Sequence, residues 1–160
     1  MRRVGFGYDI HRLRDGGRLV LGGVAFPDFP RGFDVSAYDG DVVIHATADA
    51  ILGALAAGDV DALLPAGPDS VGASSLEQVR LGAVLARHEA RVVNLDCTIL
   101  AIAPRLAPAI DGIRASLAGA LAVPKRCVSV KAKTNDGFGP EGRGEAVSAA
   151  VVVQLEQAQD

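Results

Sequence analysis

The chain has 160 residues, of which 49% are hydrophobic and 22% charged, with a formal net charge of −3. This length predicts one domain over residues 1–160. The negative net charge and the lack of a basic run argue against nucleic acid as a partner. Its mean hydropathy is +0.27, but the apolar runs at 92–103 and 147–155 are too short or too polar to span a bilayer. With no signal peptide or membrane segment, we expect a cytoplasmic protein whose apolar excess is buried in its core or between subunits, and we favour an obligate oligomer.

The first part of the chain predicts two short strands and then a helix. Residues 2–11 and 18–26 have strand character and are joined by a DGG turn. The stretch 27–40 is rich in Pro, Gly and Asp and is predicted to be a loop. Apolar residues then follow the helical period over 41–57, and Asp41 is placed to cap the start of that helix.

The rest of the chain predicts alternating helices and strands. We expect an irregular segment at 58–74, helices at 75–90 and 108–121, and strands at 92–103, 127–134 and 144–156. This order predicts an α/β fold of the α+β type, a single two-layer domain with a mixed β-sheet packed against helices. The loops 27–40, 58–74 and 135–143 are the expected positions of functional residues.

Two of the three histidines lie near carboxylates in a spacing typical of metal ligands. Asp9 and His11 are two residues apart on a predicted strand, which places both on one face, roughly 7 Å apart. His45 lies in the first turns of a predicted helix, after a D-G-D loop. One carboxylate and two imidazoles leave a fourth position open, as in catalytic zinc sites. Zn²⁺ suits these ligands best, and Mn²⁺ or Co²⁺ would also fit.

Simpler roles remain open for the same side chains. Asp9 could cap a turn, and both histidines could be ordinary hydrogen-bonded residues. Asp49 follows His45 by four residues, so it could orient the imidazole from the same helix face or be a solvated helix charge.

Five motifs occur along the chain in order: YDIHRL, GG at 22–23, DGDVVIHATADAILGALAAGDV, TILAIAP, and VKAKTNDG followed by GRGEA. Together they resemble the 2-C-methyl-D-erythritol 2,4-cyclodiphosphate synthase family, and the likeness covers essentially the whole chain. Each motif alone is weak, but the combination of D-x-H, the long DGD motif and GRGE is highly specific.

The resemblance implies a homotrimer with active sites between adjacent subunits. It implies a phosphorus-oxygen lyase that converts 4-diphosphocytidyl-2-C-methyl-D-erythritol 2-phosphate, a CDP-linked substrate, into the cyclic diphosphate and CMP. In the family, Zn²⁺ positions the diphosphate, and Mg²⁺ or Mn²⁺ shared by the phosphates neutralises charge. Such chemistry needs positioning and positive charge rather than a protein nucleophile.

The resemblance also implies roles for individual residues near the phosphates. It assigns the zinc to Asp9, His11 and His45, and it implies that Asp9 and His11 also contact substrate. Thr134 matches a threonine that helps hold the transferring phosphoryl group. Asp136 matches a glutamate used for the second metal. Lys133 replaces a family threonine and would add a cation close to the phosphates, which could compensate for other changes or indicate a different phosphorylated substrate.

Further matches lie on the nucleotide and sugar sides of the substrate. Backbone groups of one segment are implied to hold the cytosine: Ala101, Ala103, Pro104, Arg105, Leu106 and Ala107. Asp59 and Asp61 match positions that bind the methylerythritol part. Arg143 is also predicted to bind substrate. With Glu145 it matches a charged pair near the trimer axis, for which we favour a mainly structural role in the turn into the last strand.

Two loops depart from the family pattern. Ala37 and Tyr38 stand where the family has histidine and serine before DGD, and alanine donates no hydrogen bond to a phosphate. Loss of a donor aimed at developing charge can lower a rate by about 10²–10³, although the Tyr38 phenol could reach the same oxygen. Ala66 and Pro68 stand where carboxylates are expected.

These departures leave four functions open. We favour a working cyclodiphosphate synthase with a remodelled loop. The alternatives are an enzyme on the same scaffold acting on another CDP-linked substrate, a trimeric metal- and nucleotide-binding protein without catalysis, and an unrelated metallohydrolase in which zinc-bound hydroxide attacks the substrate.

Overall fold

A computed structural model describes residues 1–33, 38–62 and 70–158. The strands are β1 (Arg2–Arg12), β2 (Arg14–Asp15), β3 (Val20–Leu21), β4 (Val24–Ala25), β5 (Arg31–Gly32), β6 (Ala90–Leu100), β7 (Val128–Lys133) and β8 (Ala146–Gln157). The α-helices are α1 (Val42–Leu55), α2 (Ser75–Val79), α3 (Leu81–Arg87), α4 (Ile110–Ala120) and α5 (Gly139–Gly142), and short 3-10 turns lie at 60–62, 125–127 and 135–137.

The main sheet has four strands in the order β1-β8-β6-β7. Strand β8 is antiparallel to both β1 and β6, whereas β7 is parallel to β6. The parallel pair requires a crossover connection, and α4 lies within it in the chain. Helix α1 packs on β1 and β8. The predicted α/β fold, with a mixed sheet packed against helices, is confirmed.

Close packing joins helix α1 to strand β1. Alternate residues of β8 are buried on the same side of the sheet, from Val147 to Leu155. On β1 that side carries glycines: a Cβ added to Gly5 would lie 1.8 Å from the Ala50 carbonyl oxygen, and one on Gly7 would lie 2.0 Å from that of Ala46. The backbones of α1 and β1 therefore lie in direct contact, which fixes the spacing between side chains that the two elements carry.

The opposite face of the sheet exposes large apolar side chains. We call this surface the outer apolar strip, and its residues, 38–65% exposed, are Val4, Phe6, Tyr8, Ile10 and Val152. Contiguous apolar surface on a protein commonly marks an interaction site. Within the described ranges, no helix combines the length and the apolar character needed to cross a membrane.

Several predicted elements differ in the structure; the loop predicted at 135–143, for example, contains the 3-10 turn at 135–137 and the short helix α5. The strand predicted at 18–26 is a hairpin of β3 and β4, because Gly22 and Gly23 both have positive φ and turn the chain. The helix predicted at 75–90 is divided into α2 and α3, because Arg80 adopts a left-handed conformation with φ of 46°. The predicted loop 27–40 contains β5, which pairs with β2.

Asp41 joins the β3–β4 hairpin to the start of α1. As predicted, it caps the helix: its carboxylate accepts hydrogen bonds from the backbone N–H groups of Val43 and Ile44 at 3.0 and 3.2 Å. It also accepts from Gly22 and Gly23 at 2.8 and 2.7 Å. Burial raises the pKa of Asp41 to about 6, although the bonds from the two glycines oppose that rise.

We expect Asp41→Ala to lower the free energy of unfolding by about 3 kcal/mol or more, because it removes a helix cap and leaves buried N–H groups without partners. Asp41→Asn keeps one accepting oxygen and should lose about half as much. Urea unfolding of both variants tests this. An Asp41→Ala protein as stable as the wild type would show that these four bonds contribute nothing.

Candidate metal centre

Strand β1 and helix α1 bring the three predicted metal ligands together. Asp9 Oδ2 lies 3.1 Å from His45 Nδ1 and 3.4 Å from His11 Nε2. The two imidazole centroids are 5.5 Å apart. One ligand atom from each residue lies within 4.8 Å of the other two. The side chains that the sequence singled out as a trio therefore surround a common point.

The geometry of this cluster fits a divalent metal ion. Ligands bound at 2.0–2.1 Å to a tetrahedral zinc lie about 3.3 Å from one another, close to the two distances that Asp9 makes. The side chains are 14–34% exposed, so the cluster is partly buried and remains open on one side. A neutral imidazole and a carboxylate are also ligand types that zinc binds. The three residues thus fit a metal ion that keeps one coordination position open.

The backbone fixes the His11 ring. His11 Nδ1 lies 2.9 Å from the Gly40 carbonyl oxygen. A carbonyl only accepts hydrogen bonds, so Nδ1 carries the proton and the Nε2 lone pair is free to face Asp9. The ring also packs edge-on against Phe33, with centroids 5.4 Å apart. His11 is therefore held with its ligand atom at the cluster.

Two buried side chains that the sequence did not reveal hold the His45 ring. His45 Nε2 lies 3.0 Å from Ser75 Oγ, which lies 2.5 Å from Asp39 Oδ1. Burial lowers the pKa of His45, but the hydrogen bond and charge of Asp9, with the charges of Asp41 and Asp39, raise it overall. No periodic spacing links Ser75 to His45, because they are 30 residues apart on different helices.

Asp49 does not orient His45, and that interpretation is wrong. Both ring nitrogens of His45 face other groups. Asp49 Oδ1 instead accepts a hydrogen bond from the Val60 N–H at 2.8 Å, and burial raises the pKa of its carboxyl. Asp49 lies one helical turn beyond His45 on α1, and this hydrogen bond to Val60 anchors the 3-10 turn at 60–62. The exposed Asp59 and Asp61 lie at this turn.

The residues predicted to act on the phosphates lie at the end of β7. Lys133 is the last residue of that strand, and its carbonyl accepts a hydrogen bond from the Ala101 N–H at 2.9 Å. Thr134 Oγ1 accepts from the Asp136 N–H at 3.3 Å. Across the residues that the structure describes, Asp136 belongs to no cluster of three metal-ligating side chains. Its role with a second metal stays a prediction.

The segment predicted to hold cytosine leaves the sheet beside these residues. Ala101 and Leu106 are buried, whereas Arg105 and Ala107 are exposed and the residues at 103–104 are intermediate. Leu106 packs its side chain into the hydrophobic core. With most of these side chains either buried or turned to solvent, the backbone of this segment is left to bind cytosine. Binding of cytosine by this backbone stays a prediction.

The residues that depart from the family pattern are only partly described. Ala37, Ala66 and Pro68 lie outside the described residues. Tyr38 has a φ of 33° and is buried among core side chains, and its N–H donates to the Ser70 carbonyl at 2.6 Å. Its ring is thus part of the packing here, and its contact with substrate stays a prediction.

The predicted charged pair in the turn into β8 is present. Arg143 donates two hydrogen bonds of 3.0 Å to the Glu145 carboxylate. The bidentate contact lowers the pKa of Glu145, while the Glu145 carbonyl accepts from the Leu13 N–H at 2.8 Å. These contacts agree with a structural role for the turn, and contact of Arg143 with substrate stays a prediction.

Comparison with known proteins identifies the family. The model of the YgbB family matches residues 2–156. The 2-C-methyl-D-erythritol 2,4-cyclodiphosphate synthase of Moorella thermoacetica is 47% identical, covering 96% of this chain and 94% of its own. The enzyme of the same name from Syntrophomonas wolfei is 44% identical, covering 98% and 99%. The structure of IspF from Plasmodium falciparum in complex with CDP has a TM-score of 0.83 at 26% identity, covering 99% and 97%. The resemblance found in the sequence is confirmed, and the chain belongs to the YgbB family of 2-C-methyl-D-erythritol 2,4-cyclodiphosphate synthases.

Proposed function

We propose that this chain is a cytoplasmic, homotrimeric phosphorus-oxygen lyase. It converts 4-diphosphocytidyl-2-C-methyl-D-erythritol 2-phosphate into the cyclic diphosphate and releases CMP. The observation that carries the proposal is the cluster of Asp9, His11 and His45, which has metal-binding geometry in a chain 47% identical to an enzyme named for this product.

The proposed metal centre uses the three clustered side chains as ligands. Asp9, His11 and His45 would hold Zn²⁺ or another divalent transition metal, which supplies positive charge at the substrate's phosphates. The reaction needs no protein nucleophile, because the attacking oxygen belongs to the substrate's own 2-phosphate. The protein's contribution is to hold both phosphate groups in line, which alone can lower the barrier by several kcal/mol, about 7–11 in the best cases.

The remaining residues are proposed to bind the parts of the substrate around that centre. The Thr134 hydroxyl and the Lys133 ammonium group would contact the transferring phosphoryl group, and Asp136 would bind Mg²⁺ or Mn²⁺ together with the substrate. The backbone of 101–107 would bind the cytosine. The exposed carboxylates of Asp59 and Asp61, next to the turn that Asp49 anchors, would accept hydrogen bonds from the methylerythritol hydroxyls.

Self-association is supported by the outer apolar strip. Phe6 is 63% exposed and Val4 is 65% exposed in the single chain, and covering such residues favours association by about 25 cal/mol per Å² of apolar surface. We propose that Thr134 and Asp136 of one subunit meet the Asp9 cluster of its neighbour in the trimer. This arrangement would complete a site that one chain holds only in part.

Incubation with the diphosphocytidyl substrate, Zn²⁺ and Mg²⁺ tests the proposal, with products followed by phosphorus NMR. We expect CMP and the cyclic diphosphate in equal amounts. Binding of CMP without turnover would instead identify a non-catalytic nucleotide-binding protein, and a linear product would identify a metallohydrolase. Turnover only of another CDP-linked compound would show that Lys133 and the altered loops select a different substrate.

A further inference from the structure

We infer that Ser75 is a positioning residue of the metal centre: its hydroxyl, oriented by the buried carboxylate of Asp39, fixes the imidazole of His45 so that Nδ1 faces the metal. The inference rests on the metal site of the proposed function but not on the identity of the substrate. Its basis is a continuous chain of hydrogen bonds that begins at a metal ligand and ends in the protein interior.

The order of donors and acceptors follows from the chemistry of the three groups. A carboxylate accepts hydrogen bonds, so the Ser75 hydroxyl donates its one proton to Asp39 Oδ1, 2.5 Å away. Ser75 Oγ can then only accept from the ring, and His45 Nε2, at 3.0 Å, must carry a proton. In the metal-bound protein, where a metal takes the place of any proton on Nδ1, the ring is neutral and presents its Nδ1 lone pair to the side where Asp9 and His11 lie.

Burial makes this chain of bonds a fixed part of the structure. Ser75 is 0% exposed and Asp39 is 3% exposed, so water does not compete for either group. Backbone N–H groups of Asp41 and Ser75 also donate to Asp39 Oδ1, each at 3.2 Å. The carboxylate thus cannot rotate away without losing three hydrogen bonds. The Ser75 hydroxyl is held at one position, and the ring is held with it.

The contact also joins two separate segments at the site. The Tyr38 N–H donates to the Ser70 carbonyl at 2.6 Å, and Asp39 binds Ser75. The segment 70–75 is therefore attached at both ends to the segment 38–41 that precedes α1. The orientation of His45 on α1 consequently depends on Ser75, which lies in the next α-helix, α2.

Ser75→Ala tests the inference, with Ser74→Ala as a matched control. Ser74 caps α2 by accepting from the Glu77 N–H at 3.4 Å, whereas the two ring nitrogens of His45 face Asp9 and Ser75. Zinc affinity is measured by competition with a chromophoric chelator. We expect Ser75→Ala to weaken zinc binding by about 10–100-fold, the range found when a partner of a metal-bound histidine is lost. Ser74→Ala should stay within about threefold of the wild type.

A spectroscopic measurement separates positioning from general damage to the fold. In zinc-loaded wild-type protein, nitrogen NMR of the imidazole should show His45 protonated at Nε2, and the visible bands of the Co²⁺-substituted protein should change in Ser75→Ala but not in Ser74→Ala. Unchanged zinc affinity and spectra in Ser75→Ala would overturn the inference. So would equal losses in both variants, because the effect would then come from the start of α2. Turnover is not used, so a failed activity assay would overturn only the proposed function.

Discussion

Replacing His45 with alanine is expected to release the metal and abolish turnover. His45 supplies one of three clustered ligand atoms, and its Nδ1 lies 3.1 Å from Asp9. Loss of a direct ligand should weaken zinc binding by more than the roughly 10–100-fold that loss of an indirect partner causes. Zinc content per chain after dialysis, together with CMP release from the diphosphocytidyl substrate, measures both effects. Asp9→Ala and His11→Ala should behave in the same way.

The third histidine provides the control for this experiment. His88 follows the last residue of helix α3, its carbonyl accepts a hydrogen bond from the Gln157 side chain, and it is not in the metal cluster. His88→Ala should therefore keep its zinc and its activity. Full zinc occupancy in His45→Ala, or equal losses in His45→Ala and His88→Ala, would contradict the ligand assignment.

The metal ligands could be predicted because local rules determine where they point. Side chains two residues apart share a face of a strand, which placed Asp9 with His11. Asp41 caps α1 through its own side chain, so the start of the helix and the position of His45 in its first turns could both be read from the sequence.

The partners of those ligands could not be predicted, because tertiary packing decides them. Asp39 and Ser75 are 36 residues apart, and their hydrogen bond depends on how α2 is placed against the residues that precede α1. The prediction for Asp49 was wrong for the complementary reason: helical spacing alone suggests His45 as its partner, but the hydrogen bond that Asp49 accepts comes from the Val60 N–H, beyond the end of α1. Arg80 interrupts a helix that the apolar period alone predicts to be continuous.

Gly7→Ala on β1 is expected to lower both the free energy of unfolding and the affinity for zinc. The added Cβ would lie 2.0 Å from the Ala46 carbonyl oxygen and 2.7 Å from the Ala50 nitrogen, which are backbone atoms that no rotamer change can move. Overpacking of this kind usually costs about 1–3 kcal/mol, and we expect at least about 3 here because helix and strand must separate. Asp9 lies two residues further along β1, so the same separation should move its carboxylate away from His45 and weaken zinc binding. Urea unfolding and chelator competition measure the two losses.

Gly53→Ala is the matched control, because it adds the same methyl group to the helix that Gly7 contacts. Gly53 is exposed, and the nearest atom to its added Cβ is the Phe6 carbonyl oxygen at 3.9 Å. Alanine is favoured over glycine inside a helix by roughly 0.5–1 kcal/mol, so this variant should be at least as stable as the wild type and bind zinc equally well. If Gly7→Ala were equally stable but bound zinc weakly, the strand–helix contact would position the ligands without supporting the fold. If it lost stability yet bound zinc normally, the contact could not be what sets the distance between Asp9 and His45.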